Sequence, residues 1–337
     1  MGFSKGTSMT TTYRAFVLSK DGDTVGADIQ HRNMSTLGDG NVTIRVAWSS
    51  INYKDGLATL SKGGIVRDYP RVPGIDLSGI VTESSDARFK EGESVLVTGF
   101  GTGVSHDGGY AEYARVPGDW VIRCPENLSP REAMIFGTAG FTAALAIQRL
   151  EHQGIKPESG PILVTGASGG VGSMTISMLS KLGYEVHAST GKTAEHNYLK
   201  QLGASIILSR DDVSTQGRPL EKEKWAGAVD QVGGDTLSWI LSTLKYEGAV
   251  ACTGLTGGVK FRSTVMPLLL RGVSVLGVDS VMYPASSRAT LWQRIAGELR
   301  PDHLELIAEE LDLEHIAPVL QQILKGNIRG RRIVKLD

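Results

Sequence analysis

Pro161-Ile-Leu-Val-Thr-Gly166-Ala-Ser-Gly169-Gly-Val-Gly172-Ser173 feeds an apolar run through a glycine turn into a helical pattern. Ile162 to Thr165 suits a buried strand. The glycines let backbone approach a phosphate with no Cβ in the way, and the following helix offers unpaired N–H groups at the positive end of its dipole. The stretch reads as a dinucleotide pyrophosphate site. Its spacing is Gly-x-x-Gly-x-x-Gly rather than Gly-x-Gly-x-x-Gly, and a glycine cluster alone also fits an ordinary strand-to-helix turn. The flanking residues decide between the two.

An NAD site usually carries an Asp or Glu about 20 residues beyond the first glycine, where it binds the ribose 2′-hydroxyl. Here the second apolar run, Leu182-Gly-Tyr-Glu-Val-His-Ala, ends in Ser189-Thr190-Gly191-Lys192. Hydroxyls and a cation stand where an acid would repel a 2′-phosphate, which favours NADPH. Arg210, after a further apolar run, adds a forked donor suited to phosphate. Ordinary solvated charge is the competing reading of Lys192 and Arg210.

At 337 residues, the chain exceeds one average core, so two domains are expected. The 41% hydrophobic and 21% charged composition fits a globular enzyme rather than a disordered chain. A net charge of −1 leaves no electrostatic footprint for nucleic acid or an anionic membrane. No apolar run is read as reaching the length of a bilayer span. The first twelve residues lack the apolar segment of a secretory signal, and Met9 is a candidate natural start, so a cytoplasmic address is expected. Gly2 and Thr7 do not match the myristoylation offset. Cys124 and Cys252, the only cysteines, lie far apart and read as buried free thiols rather than a zinc site.

From Tyr13 to Val121 the chain reads as short β-segments separated by Gly, Pro and Asp: Tyr13 to Leu18, Asn41 to Ser49, Gly79 to Glu83, Ser94 to Thr98 and Tyr110 to Val116. This spacing predicts a partly antiparallel, barrel-like domain. Ser129-Pro-Arg-Glu then predicts a helix start, with Ser129 as cap, Pro130 at the first position and Glu132 three residues after the cap. Beyond it strands and helices alternate from Ile162 to Thr253, the pattern of a doubly wound parallel sheet. Helical patterns at Leu291 to Glu298 and Ile316 to Leu324 and a strand at Arg331 to Leu336 close the chain.

This organisation resembles the medium-chain dehydrogenase/reductase superfamily over nearly the whole chain. Five blocks in order carry a closer likeness: Asn52-Tyr-Lys-Asp55, Pro73-Gly-Ile-Asp-Leu-Ser-Gly79, Gly137-Thr-Ala-Gly-Phe-Thr-Ala143, Gly166-Ala-Ser-Gly-Gly-Val-Gly-Ser173 and Gly277-Val-Asp-Ser-Val281. Together they are similar to the bacterial acrylyl-CoA reductase group, long labelled quinone oxidoreductases. The resemblance implies an α/β fold with two domains. A GroES-like, partly open β-barrel catalytic domain would occupy 1–136 and 305–337, and a Rossmann doubly wound parallel sheet binding NADPH would occupy 137–304. It also implies cofactor contacts at Tyr53, Thr142, Ser168 to Val171, Thr190 to Lys192, Arg210, Leu276 and Asn327. Tyr53 would sit at the nicotinamide, holding the cofactor or donating toward the acceptor; a core tyrosine with a bonded hydroxyl is the alternative. Relatives often form homodimers through edge strands, and Val273 to Val278 is the run suited to that role.

Zinc alcohol dehydrogenases of the superfamily carry an early Cys ligand and a Gly-His-Glu block, whereas this chain has Gly74-Ile75-Asp76. No three-ligand catalytic zinc is therefore expected. His106 beside Asp107 reads as loop structure. Asp55, ionised at neutral pH if unperturbed, reads as orienting neighbouring backbone or Lys54. Arg67, Arg71 and Arg262 read as solvated charge rather than a site for an acidic CoA tail. Without a metal, the expected chemistry is hydride transfer to the β-carbon of a C=C bond conjugated to a thioester. The resulting enolate takes its proton at the α-carbon, from solvent if no side chain supplies it. Quinone reduction with NADPH and a non-catalytic NADPH-binding sensor are the alternatives.

Overall fold

The computed structural model describes residues 12–214 and 217–337. Gly2, Thr7 and Met9, on which the reading of the opening segment turned, lie outside the described residues. In chain order the strands and helices of the first third are β1 (Thr12–Asp21), β2 (Thr24–Asn33), β3 (Val42–Ile51), α1 (Tyr53–Ala58), β4 (Asp76–Ser84), β5 (Ser94–Thr98), β6 (Tyr113–Val116) and β7 (Ile122–Arg123). The middle holds α2 (Pro130–His152), β8 (Ile162–Val164), α3 (Gly170–Lys181), β9 (Val186–Ser189), α4 (His196–Gln201), β10 (Ile206–Leu208), β11 (Trp225–Asp230), α5 (Gly234–Thr243) and β12 (Leu244–Cys252). The remainder comprises α6 (Met266–Arg271), β13 (Ser274–Gly277), α7 (Ala285–Ala296), β14 (Ala308–Asp312), α8 (Ile316–Leu324) and β15 (Arg331–Lys335).

Two compact units result. The first contains residues 12–123, 310–325 and 333–337. Its larger sheet runs β14-β15-β3-β4-β5-β7, with β6 also on β3, and β1 and β2 form a separate antiparallel ribbon. Pairing of β3 with β4, of β4 with β5 and of β3 with β6 is antiparallel. Inward residues such as Val42, Ile44, Leu77, Val95 and Tyr110 pack with Ile316 and Leu320 of α8 into one apolar core.

The second unit contains residues 124–309 and 326–332. Its six strands run β10-β9-β8-β11-β12-β13, all parallel. Strand order reverses between β8 and β11, and in open α/β sheets ligands bind at the carboxyl ends of the strands beside such a reversal. The glycine turn of Gly166 to Gly172 follows β8 at that point.

The boundaries differ from the expected 136/137 and 304/305. Gly137 (φ 50, ψ −155) kinks α2, but the segment before the kink belongs with the second unit. Arg131 pairs with Glu305, Glu132 with Arg300, and Arg331 Nε donates to Ile135 O, so the first turns of α2 are fastened there by side chains. The cap is as expected: Ser129 Oγ accepts from Glu132 N and the Glu132 carboxylate accepts from Ser129 N. Contrary to the sequence reading of bilayer-length runs, α2 is long and apolar enough to cross a membrane, yet 83% of its most apolar window is buried inside the protein. It is a core helix, buried over 133–147 but for the half-buried Thr138, with polar residues at both ends.

Candidate active site

Each glycine of the turn after β8 answers to a different constraint. Gly166 has φ +56, a conformation that strains any residue with a side chain. A Cβ on Gly172 would lie 2.5 Å from Gly166 O and 2.7 Å from Ala167 Cα, so helix and strand approach too closely for one. At Gly169, by contrast, only Gly166 O lies within 4 Å of such a Cβ, at 3.3 Å. Gly169 caps α3 and has no side chain to satisfy the first N–H groups, and Gly169, Gly170 and Val171 are half-buried at that helix start. An uncapped helix N-terminus bordered by a glycine is a fit for pyrophosphate oxygens.

The end of β9 lies beside this turn. Ala167 N donates to Ser189 O at 3.1 Å, and the buried Ser168 and Thr190 hydroxyls are 3.4 Å apart. Lys192 N donates to Thr190 Oγ1 at 3.1 Å. The Arg210 guanidinium lies against Gly191, where a Cβ would meet its Nε at 2.6 Å. Burial, with help from the Arg210 charge, pushes the Lys192 ammonium below its usual range, against the opposing pull of Glu195. Thus Ser168 to Val171, Thr190 to Lys192 and Arg210 form one contiguous surface, and the residues present fit a nucleotide carrying a 2′-phosphate.

Other predicted contacts sit elsewhere in the same unit. Thr142 Oγ1 on α2 donates to Thr138 O and pairs with the Ser280 hydroxyl, both at 2.7 Å. Leu276 is half-buried on β13 opposite Ala251. Asn327 is exposed in the return segment, whose Gly330 N donates to Ser168 O at 2.9 Å. Sequence reasoning missed the Thr165–Asp230 link at the strand reversal: Thr165 Oγ1 donates to Asp230 Oδ1 at 2.5 Å, and the same carboxylate accepts from Val232 N and Gly233 N. A hydroxyl and an acid ending two apolar strands were the available signal.

Tyr53 belongs to the first unit. It is the first residue of α1 and 41% exposed, which removes the core-tyrosine reading. Its position depends on a buried cluster at the ends of β3 and β4. Asp55 Oδ2 accepts from Asn52 N at 2.8 Å and Oδ1 from Ile75 N at 3.0 Å. Asp76 Oδ2 accepts from Ser50 Oγ at 2.6 Å and Asn52 Nδ2 at 2.8 Å. Asp55 thus orients backbone as expected, but its carboxyl is not unperturbed. Burial, then the neighbouring Asp76 charge, raises its pKa to about 7, against hydrogen bonds from Asn52, Ile75 and Tyr110.

The block Gly74-Ile75-Asp76 therefore uses its acid for local structure. Among the described residues no group of three or more His, Cys, Asp or Glu is placed to hold a metal ion. His106 is tied into its loop by Asp107 O at 2.9 Å and Asp39 O at 2.6 Å. Arg71 is no solvated charge: with Arg32 it pairs with Asp107, each at 3.1 Å. Cys124 and Cys252 are outside any disulfide and only partly buried, and burial raises the Cys252 thiol to about 11.

Two sequence families match the chain: the alcohol dehydrogenase GroES-like domain over residues 38–126 and the zinc-binding dehydrogenase domain over residues 170–297. The acrylyl-CoA reductase AcuI of Ruegeria pomeroyi is 46% identical over 328 residues, 96% of this chain and 99% of its own. The chain belongs to the medium-chain dehydrogenase/reductase superfamily, in the branch of the acrylyl-CoA reductases and YhfP-type proteins. YhfP of Bacillus subtilis, named provisionally as a quinone oxidoreductase, is 50% identical over 97% of this chain and 100% of its own, and its structure with NAD bound gives a TM-score of 0.95. The YhdH oxidoreductase of Salmonella enterica, solved with NADP, is 47% identical, with a TM-score of 0.94 over 96% of this chain and 100% of its own.

Proposed function

We propose that this protein is an NADPH-dependent, zinc-independent reductase of an activated C=C bond, with acrylyl-CoA or a short 2-enoyl thioester as acceptor and propanoyl-CoA or its homologue as product. The observation that carries the cofactor assignment is the end of β9, where Ser189-Thr190-Gly191-Lys192 and Arg210 bring hydroxyls and cations together with no acid on the strand end. Full-length likeness to an acrylyl-CoA reductase supports the acceptor. NADPH, when bound, supplies the hydride.

The chain's own groups do the rest. Backbone N–H groups from Ser168 to Val171 hold the pyrophosphate, and Thr190, Gly191, Lys192 and Arg210 hold the 2′-phosphate. Thr142, Leu276 and Asn327 are assigned to the nicotinamide end, and the Tyr53 hydroxyl to the cofactor or the acceptor carbonyl, where a donor stabilises developing enolate charge. Solvent can protonate the α-carbon. We further assign a cytoplasmic location and a homodimer. β13 ends its sheet with Val275 exposed, and Leu268, Leu269 and Leu270 of α6 are exposed just before it, a combination suited to edge pairing with a second copy. A monomer in sedimentation at micromolar concentration would remove that assignment.

Initial rates of NADPH oxidation with acrylyl-CoA and with a soluble quinone, each repeated with NADH, test the reading. Turnover with acrylyl-CoA and NADPH, and little with quinone, is expected. Turnover with quinone alone would favour the second reading, which the name given to YhfP supports. NADPH binding without turnover of either acceptor would move the protein to a sensor role.

A further inference from the structure

Residues 326–332 return through the nucleotide-binding unit, and several of their fastenings fall on the proposed cofactor surface. Gly330 N donates to Ser168 O in the pyrophosphate turn at 2.9 Å. Lys192 Nζ donates to Ile328 O at 3.0 Å. Behind them Arg329 lies over the Tyr198 ring, 4.9 Å from its centroid, with Nη1 3.6 Å from Glu195. Ile328 directly follows Asn327, so the ammonium assigned to the 2′-phosphate is bonded to the residue next to the one assigned to the nicotinamide end.

An ammonium has three N–H donors, and the bond to Ile328 O uses one. Two remain for a phosphate, so the carbonyl and a 2′-phosphate can be held together. We infer that Lys192 is a positioning residue that couples the 2′-phosphate of NADPH to segment 326–332, stiffening the chain that carries Asn327 in a way NADH cannot. The inference rests on the NADPH assignment above. Half-burial of Lys192 works against its charge, and a dianion beside it works in favour of it, while the geometry leaves two N–H groups free to reach that dianion without releasing Ile328 O. By linkage, whatever orders 326–332 must in turn tighten the grip on the 2′-phosphate.

Hydrogen exchange of the full chain with saturating NADP⁺ or NAD⁺, for the wild type and Lys192→Gln, separates this coupling from binding itself. Slowed exchange in 166–173 reports that the cofactor is bound. With NADP⁺ the wild type should in addition exchange about tenfold more slowly in 326–332 than with NAD⁺, the size of one charge-assisted hydrogen bond. In Lys192→Gln that difference should vanish while 166–173 stays protected, and the ratio of kcat with NADPH to kcat with NADH, each at saturation, should fall toward one. Equal protection of 326–332 by both nucleotides in the wild type overturns the coupling and leaves the NADPH assignment standing. Faster exchange there with NADP⁺ also overturns it, because the phosphate would then have taken the ammonium from Ile328. Absence of protection in 166–173 with either nucleotide overturns the cofactor assignment and the inference with it.

Discussion

The glycine turn after β8 and the buried acid cluster at the ends of β3 and β4 are both polar sites next to proposed chemistry, but they are built in opposite ways. The turn is made of backbone: φ +56 at Gly166, a close approach at Gly172 and an uncapped helix start at Gly169. The cluster is made of side chains, with Ser50, Asn52, Asp55 and Asp76 brought together by antiparallel pairing and a short helix. A backbone site depends on what is missing, since any added Cβ fills it. A side-chain site depends on what is present, since removing one carboxylate strips an acceptor from two donors.

Substitutions can break this contrast, the largest effect first. Gly172→Val puts carbon against the backbone of Gly166 and Ala167 and should weaken NADP⁺ binding by about 4 kcal/mol, near a thousandfold in Kd. Calorimetric titration, with circular dichroism to verify folding, measures it; near-native affinity would mean the turn is not the cradle. Asp76→Ala removes the acceptor shared by Ser50 Oγ and Asn52 Nδ2 and should cost about 3 kcal/mol of stability, read from urea midpoints. A change below about 0.5 kcal/mol would show that the cluster relaxes freely around the loss.

Lys192→Ala sharpens the comparison, because it removes a side chain from the site otherwise built of backbone. The Michaelis constant for NADPH should rise about tenfold and that for NADH little; equal changes would refute the 2′-phosphate role. The smallest expected effect is in pH. Asp55 holds its proton in the folded state up to about pH 7, whereas an unfolded aspartate releases it near about pH 4. Its contribution to stability is therefore complete below the unfolded value and is lost as pH rises through the folded one. Asp55→Asn, which cannot titrate, should flatten the decline of the urea midpoint between these limits. Parallel curves for the variant and the wild type would assign the decline to other groups.

The two sites were also unequally legible. Gly166 to Gly172, the strand before it and the absence of an acid after Ala188 lie close together in sequence, and each speaks through local geometry or local charge. The capping box at Ser129 and the helix Ile316–Leu324 were legible for the same reason. β2 was not, because none of its residues is buried and its apolar alternation, Val25, Ala27 and Ile29, is short and carries no bulky side chain at Ala27. α7 was seen only in its second half, since Ala285-Ser-Ser-Arg after Pro284 carries no apolar period. The raised carboxyl of Asp55 was misjudged for a different reason: burial and the approach of Asp76, 21 positions away, are invisible to any reading of neighbours.

What the sequence by itself determined is therefore what backbone chemistry and local pattern dictate: two domains of different period, a strand–glycine–helix phosphate turn, and hydroxyls and cations in place of an acid at the second strand. Only the tertiary structure decided which distant groups share an environment. It set the six-stranded order that places the turn at the strand reversal, fastened residues 326–332 to Ser168 and Lys192, and buried the carboxyls of Asp55 and Asp76 close to one another. Hydrogen bonding within a turn is fixed over a few residues, whereas desolvation and long-range pairing belong to the whole packed unit.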